Sequence, residues 1–148
     1  MFKISRENLG EFYKTLAAKM PLFLPIRKAG EVNFGYYEEG AEVDIDTLKS
    51  VKSPKGVFFP QSENMMRFRT EGKKLEIEDV RSERDPFAVF GVRACDYKAF
   101  SVLDNVFLQE PVDTYYKEKR EAAIIFTLAC GKPQQSCFCS VFGIDASQ

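Results

Sequence analysis

Two apolar runs, each followed by a cysteine, decide the fold of the second half of this chain. Phe87-Ala-Val-Phe-Gly-Val92 leads to Cys95, and Ala122-Ala-Ile-Ile-Phe-Thr-Leu128 leads to Cys130. A short apolar run bounded by turn residues is typical of a buried strand. The stretch between the runs is long enough for a helical crossover, which would make the strands parallel neighbours. Because parallel strands end at the same edge of a sheet, where open α/β sheets place their ligands, we expect the two cysteines to lie close together.

The stretch between the two runs has helical periodicity. Asp96 is placed to cap a helix from about 97 to 108, and Pro111 suits the first turn of a second helix. The first helix should have an apolar face, formed by Ala99, Val102, Leu103, Val106 and Phe107.

The first half of the chain predicts a helix followed by antiparallel strands. An apolar periodicity over Leu9–Met20 predicts the helix, and Pro21 ends it. Strands are predicted at 22–27 and 32–37, and Pro25 would place the first of them at a sheet edge or make it irregular.

A hairpin is predicted over residues 66–80, around the turn Glu71-Gly-Lys-Lys. Apolar residues alternate with polar ones on both arms: Met66, Phe68, Leu75 and Ile77. Taken together, the patterns predict an α/β or α+β fold with a mixed sheet whose C-terminal half is partly parallel, with flanking helices. We interpret residues 1–148 as a single domain, in which 1–85 supplies the helix and antiparallel strands and 86–148 the strand-helix-strand part with the cysteines.

Composition narrows the class of protein and its partners. With 45% hydrophobic residues in 148, the chain can build a packed core. No apolar run reaches the roughly 18–20 residues that span a bilayer, and the N-terminus lacks a signal-peptide pattern. We therefore expect a cytoplasmic protein with no membrane partner. The net charge of −1, with mixed signs, gives no reason to expect nucleic acid.

The four cysteines are the candidate metal ligands: Cys95, Cys130, Cys137 and Cys139. The chain contains no His, so a soft metal centre must use thiolates, and a His-containing catalytic triad is excluded. No carboxylate pair stands out, and no catalytic residue is assigned. In a reducing compartment, cysteines are more often metal ligands or redox groups than disulfides. Iron–sulfur clusters need four converging thiolates, and loops at strand ends supply free N–H groups for their sulfurs.

Other interpretations of these cysteines stay open. A four-cysteine zinc site fits the ligand count, although structural zinc usually has spacers of two to four residues within each pair. A redox dithiol or inert buried thiols are further alternatives, but Cys137 and Cys139 would form a strained disulfide. An iron–sulfur cluster is favoured over zinc and over the remaining alternatives.

Several motifs have a family resemblance. They are Ser53-Pro-Lys, Phe58-Phe-Pro-Gln-Ser-Glu63, Phe90-Gly-Val-Arg-Ala-Cys-Asp96, Leu103-Asp104, Asp113 with Tyr116, and Cys130 with Cys137-Phe-Cys139. Over residues 50 to 144 the chain resembles the N-terminal region of the β-subunit family of cytoplasmic sulfhydrogenases, which anaerobic sulfite reductases share in one of their subunits. In such proteins this region is an iron–sulfur domain. It precedes a segment with two further four-iron clusters and passes electrons between a flavin subunit and a catalytic subunit.

The resemblance implies that the four cysteines bind a cluster, with four irons rather than two. It implies for Asp96 only the role of a neighbour of the ligands, which caps the helix or orients the site. It implies a non-catalytic electron-transfer role in an oxidoreductase of hydrogenase or sulfite reductase type, with flavin-containing and catalytic subunits as partners. The chain departs from the family because it ends nine residues after Cys139 and lacks a Cys-x-x-Cys-x-x-Cys segment. We expect an N-terminal fragment of a longer protein and do not carry over the two-cluster function. The alternative is a structural or subunit-docking domain with a four-cysteine zinc site.

Overall fold

The computed structural model describes residues 3–79 and 85–147. Within these ranges, no helix is long and apolar enough to cross a membrane. In chain order the elements are a 3-10 turn Arg6–Asn8, α1 Leu9–Ala17, β1 Leu22–Lys28, β2 Glu31–Tyr36, α2 Lys55–Phe58, β3 Met66–Glu71, β4 Lys74–Asp79, β5 Phe87–Val92, α3 Ala94–Phe107, α4 Thr114–Ala122, β6 Ala123–Thr127 and a 3-10 turn Cys139–Phe142.

The main sheet has four strands in the order β2-β1-β5-β6. β1 and β2 form an antiparallel pair, whereas β1 with β5 and β5 with β6 are parallel. The crossover from β5 to β6 contains α3 and α4, as the apolar runs predict. This confirms a mixed sheet with a partly parallel C-terminal half, except that Ala122 ends α4 rather than beginning the strand.

Pro25 does not place β1 at a sheet edge, because β1 lies between β2 and β5. The strand is irregular instead, since its pairing with β5 covers only Leu22 and Phe23. The missing N–H of Pro25 therefore removes no bond to β5. Opposite it, Gly91 has φ +91°, and a Cβ there would lie 3.1 Å from the proline ring. Glycine is the residue that fits this close approach.

Gly91 also forms a bulge in β5. The pairing with β6 shifts after Phe90, so that Val92 lies opposite Thr127 with Gly91 as the extra residue. Strict alternation would direct Val92 to the same side as Ala88, but the bulge lets it pack with Phe87 instead.

The core lies on both faces of the main sheet. On one face, α1 packs against strand residues, with Tyr13, Leu22, Leu24 and Ala88 buried. On the other face, α2, α3 and α4 pack against the sheet, with Phe58, Phe87, Val89, Val92, Phe100 and Tyr116 buried. The two faces follow the period of two in β5, as expected for a strand covered on both sides.

Helix α3 does not have the single apolar face that its spacing suggests. Leu103 and Phe107 pack toward the core beside the fully buried Phe100. Val102 and Val106 point elsewhere and are 61% and 63% exposed. The helix therefore has a second apolar stripe whose two valines are mostly exposed.

The predicted hairpin is confirmed as β3 and β4, which form a separate two-stranded sheet. Phe68 pairs with Ile77, and all twelve residues of the two strands are exposed. Residue 80, the last of the predicted hairpin, lies outside the described residues.

A partly buried ion pair joins the two crossover helices. Both Nε and Nη2 of Arg120 donate to the Asp104 carboxylate at 2.9 Å, and the Tyr116 hydroxyl donates to it at 2.7 Å. The guanidinium lies over the rings of Phe58 and Phe100, with its central carbon 5.6 and 5.2 Å from the ring centroids. Hydrogen bonds from Arg120 hold the pKa of Asp104 below its usual range. α3 and α4 are therefore fixed relative to each other by a specific polar contact.

We expect Asp104→Ala to lower the free energy of unfolding by about 2–3 kcal/mol, because it leaves Tyr116 and Arg120 without their shared acceptor. Urea denaturation would measure this. Glu121→Ala is the matched control on α4, since the ion pair that Glu121 forms with Lys117 is long, at 3.9 Å, and lies on the surface. That change should cost less than about 0.5 kcal/mol. An equal loss of unfolding free energy in the two variants would contradict the role assigned to the Asp104 contact.

The Asp104 contact also predicts a pH dependence. Because its pKa is lower in the folded state, its contribution is complete above the unfolded value of about 4. The contribution is lost as the pH falls from there through the lowered folded pKa. We expect Asp104→Asn to lose stability less steeply than the parent chain over this acid range, as measured by thermal unfolding at each pH.

Candidate metal centre

The parallel pair β5 and β6 brings Cys95 and Cys130 to the same edge of the sheet. Cys95 is in the first turn of α3, and Cys130 follows β6 by three residues. The sheet pairing extends toward them, since the Leu128 N–H donates to the Val92 carbonyl at 2.8 Å. The predicted parallel arrangement of the two strands, each followed by its cysteine, is confirmed.

Cys137 and Cys139 are supplied by the segment that folds back after β6. The Gln134 N–H donates to Cys137 Sγ at 3.3 Å, and the Cys137 N–H donates to the Gln134 carbonyl at 2.9 Å. Farther along, the Cys130 N–H donates to the Ala146 carbonyl at 2.7 Å. The tail thus returns to the cysteine segment.

All four cysteines line one cavity of about 280 Å³. All four are free thiols, and Cys95 is the most exposed of them. Partial burial, Asp96, Cys139 and Cys130 together raise the pKa of Cys95, opposed by the Asp96 N–H. The thiol of Cys95 is therefore close enough to those of Cys130 and Cys139 for their charges to interact.

The donor set fits a metal centre built on thiolates. Four free thiols and a backbone N–H directed at one sulfur are what an iron–sulfur cluster uses. Within 3–79 and 85–147, no group of three or more Cys, Asp or Glu side chains is arranged to hold a single metal ion. The four cysteines instead line, together with other residues, a cavity of about 280 Å³, which is larger than one ion needs.

Arg93 positions the two cysteine-bearing segments. Its side chain donates from Nη1 to the Ala129 carbonyl at 3.0 Å and from Nη2 to the Ile45 carbonyl at 2.6 Å. The residue is 9% exposed and lines the same cavity as the four cysteines. It therefore joins the start of α3, the residue before Cys130 and the loop at 45. Sequence reasoning missed this role, although an Arg between a buried strand and a candidate ligand is an unusual placement that could have indicated it.

The loop that accepts from Arg93 is itself held by Asp44. The Asp44 carboxylate accepts from the N–H groups of Asp46 and Thr47, both at 2.9 Å, and pairs with Arg27. These contacts, led by the Thr47 N–H, lower the pKa of Asp44 to about 2. The Ile45 carbonyl is thus presented to Arg93 by a fixed loop.

Asp96 does not cap α3, because the helix begins at Ala94 and Arg93 is at the N-cap position. Its carboxylate instead accepts from the Ser53 hydroxyl at 2.7 Å and from Lys55 Nζ at 3.2 Å. In the first turn, a carboxylate also favours the positive end of the helix dipole. Asp96 therefore attaches Ser53 and the first residue of α2 to the turn that contains Cys95.

We expect Arg93→Met to destabilise the metal-free chain by about 1–3 kcal/mol, because two backbone carbonyls lose their donor. Arg93→Lys should recover only part of this loss, since an ammonium lacks the planar fork that reaches both carbonyls. Urea denaturation would measure both. Lys98→Met, which removes an exposed cation from α3, is the control and should cost less than about 0.5 kcal/mol. If Arg93→Met leaves the free energy of unfolding unchanged, the positioning role of Arg93 is wrong.

The chain has a curated relative. Sulfhydrogenase 2 subunit beta of Pyrococcus furiosus is 29% identical to it over 143 residues. The match covers 97% of this chain and 41% of the relative, so the chain spans about two fifths of the relative's length. No protein-family model matches the chain, and no solved structure matches it significantly. Over nearly its whole length, the chain is therefore similar to a part of one sulfhydrogenase β subunit.

Proposed function

We propose that this chain is an iron–sulfur domain that transfers electrons within a larger oxidoreductase. The proposal depends above all on one observation, that cysteines from two neighbouring strand ends and from one returning segment line a single cavity. The relatedness to a sulfhydrogenase β subunit supports the same class of protein. We propose a four-iron cluster in preference to a two-iron cluster.

The four cysteines would act as the ligands, two from the sheet edge and two from the segment that folds over it. A bound cluster supplies reversible one-electron redox chemistry. The ring of Phe138 lies 5.6 Å from that of Phe142, and both line an adjoining groove with Ile144. These apolar side chains would limit the access of water to the sulfurs.

Two cations line the cavity and suit a site rich in thiolates. Arg93 is buried, and Lys49 donates to the Ser136 hydroxyl at 2.5 Å. Four thiolates in one cavity repel each other, and the two side chains would offset part of this negative charge. A buried guanidinium with two carbonyl acceptors is also held in place, so its charge stays beside the site.

The partners would be other subunits of the same oxidoreductase. We propose that one electron partner is a flavin-containing subunit and that the other is a catalytic subunit of hydrogenase or sulfite reductase type, in the cytoplasm. The relative is by name one subunit of a sulfhydrogenase, which supports this proposal. Residues 1–148 would act as a single non-catalytic domain, with the ligands all in 86–148.

The direct test is to load the chain with iron and sulfide without oxygen and record its absorption spectrum. A brown protein that absorbs near 400 nm and bleaches on reduction, with about four irons per chain, would support the proposal. Stoichiometric zinc in a colourless protein that excludes iron would instead show a structural four-cysteine site and overturn it.

We expect serine in place of each cysteine, in four separate variants, to lower the iron content or alter the spectrum, because each removes one of four thiolate ligands. Iron and sulfide analysis after loading would measure this. Ser147→Ala is the control, since it changes the tail without lining the cysteine cavity. A full iron complement with an unchanged spectrum in Cys95→Ser would remove that residue from the ligand set.

A further inference from the structure

The exposed apolar stripe of α3 begins at the candidate metal centre. Cys95, Ala99 and Val102 line one groove, and Val106 extends the stripe one turn farther. These positions are four, three and four residues apart, so they share one face of the helix. Large apolar side chains exposed in a continuous patch are uncommon on a protein that works alone.

The same groove is closed on its other side by the segment that contains Cys137 and Cys139. Phe138, Phe142 and Ile144 line it, and the two phenylalanines are 59% and 61% exposed. The groove has a volume of about 380 Å³. We call it the α3 groove, defined by Cys95, Ala99, Val102, Phe138, Phe142 and Ile144.

The charges around the α3 groove are of one sign. Lys49 and Lys98 line it, and no Asp or Glu is among the described residues that do. Within the described parts of the chain, Lys98 forms no ion pair. An apolar floor with a cationic rim is complementary to an apolar contact surrounded by carboxylates.

The patch is larger than the groove. Val106 lies outside the groove lining, one helical turn beyond Val102, yet it is 63% exposed. A small molecule seated in the groove would leave this side chain in water. A protein surface would cover it together with the groove, and encounters between redox proteins commonly use small interfaces of this kind.

We propose that the α3 groove is the docking surface for an electron-carrying protein or domain that presents an apolar contact ringed by carboxylates. This inference rests on the proposed function, because it assigns the surface through which electrons reach the thiolate site. Three of the four candidate ligands, Cys95, Cys137 and Cys139, line the groove itself. A partner seated there would therefore contact the residues that line the thiolate site.

The test uses the cluster-loaded full chain and a small acidic ferredoxin as the probe. Reduced ferredoxin gives up one electron, the loaded chain accepts it, and no bond forms or breaks. Stopped-flow absorption would give the second-order rate. We expect Val106→Glu and Lys98→Glu each to lower this rate about tenfold at low salt, because a carboxylate is placed where the acidic rim of the partner must dock. The rate of the parent chain should fall as salt is added.

Matched controls are available on the exposed hairpin. Phe68→Glu and Lys73→Glu introduce the same charge at exposed sites that line neither the groove nor the cysteine cavity. Both should keep the parent rate to within about twofold. All four variants should keep the parent iron content and the parent rate of reduction by dithionite, a small reductant that needs no docking surface.

The outcomes separate this proposal from the one on which it rests. Groove variants that hold a full cluster and accept electrons from ferredoxin at the parent rate would overturn the docking surface and leave the proposed function standing. A parent chain that binds no cluster would overturn both. If sedimentation shows that the parent chain dimerises and that Val106→Glu makes it monomeric, the groove is a contact between two copies, and the proposal is wrong.

Discussion

The parallel pairing of β5 with β6 is the constraint on which the rest of the structure depends. It buries Phe87, Val89 and Val92 against the crossover helices and directs both strands toward the same edge. At that edge, α3 begins with Cys95 in its first turn, and the loop after β6 contains Cys130. The two cysteines therefore lie at the same place. A slip of one residue in this pairing would exchange the two faces of a strand that is covered on both, so the core fixes the register and thereby the placement of Cys95 and Cys130.

Arg93 links this pairing to the first half of the chain. The guanidinium reaches the carbonyl before Cys130 on one side and Ile45 on the other, and Asp44 in turn fixes the loop that contains Ile45. A cation that is nearly buried is costly unless its donors are satisfied, and here the acceptors are supplied by two separate loops. The candidate metal centre therefore depends on residues from both halves, although all its candidate ligands are in the second.

Sequence reasoning identified the elements that have a simple period and missed those that depend on tertiary contacts. The strands before Cys95 and Cys130, helix α1 and the hairpin follow from local spacing. The interior position of β1 could not be predicted from Pro25, because it depends on Gly91 allowing the proline ring to pack against a bulged neighbour. The division of α3 into two apolar faces likewise depends on which elements surround the helix. Arg93 was missed because its acceptors are backbone carbonyls 36 and 48 residues away.

The distribution of the four thiols between two kinds of backbone has a consequence for the entropy of loading. Cys95 lies in the first turn of α3 and Cys130 follows β6 by three residues, so folding already fixes much of their backbone. Cys137 and Cys139 belong to a segment whose hydrogen bonds are mostly to its own neighbours. If the four cysteines bind a cluster as proposed, the ordering cost would be confined to about one short segment, and Cys95 and Cys130 would add no further ordering cost. Protection of amides from hydrogen exchange should accordingly rise on loading between residues 131 and 142 and stay constant in β5 and β6.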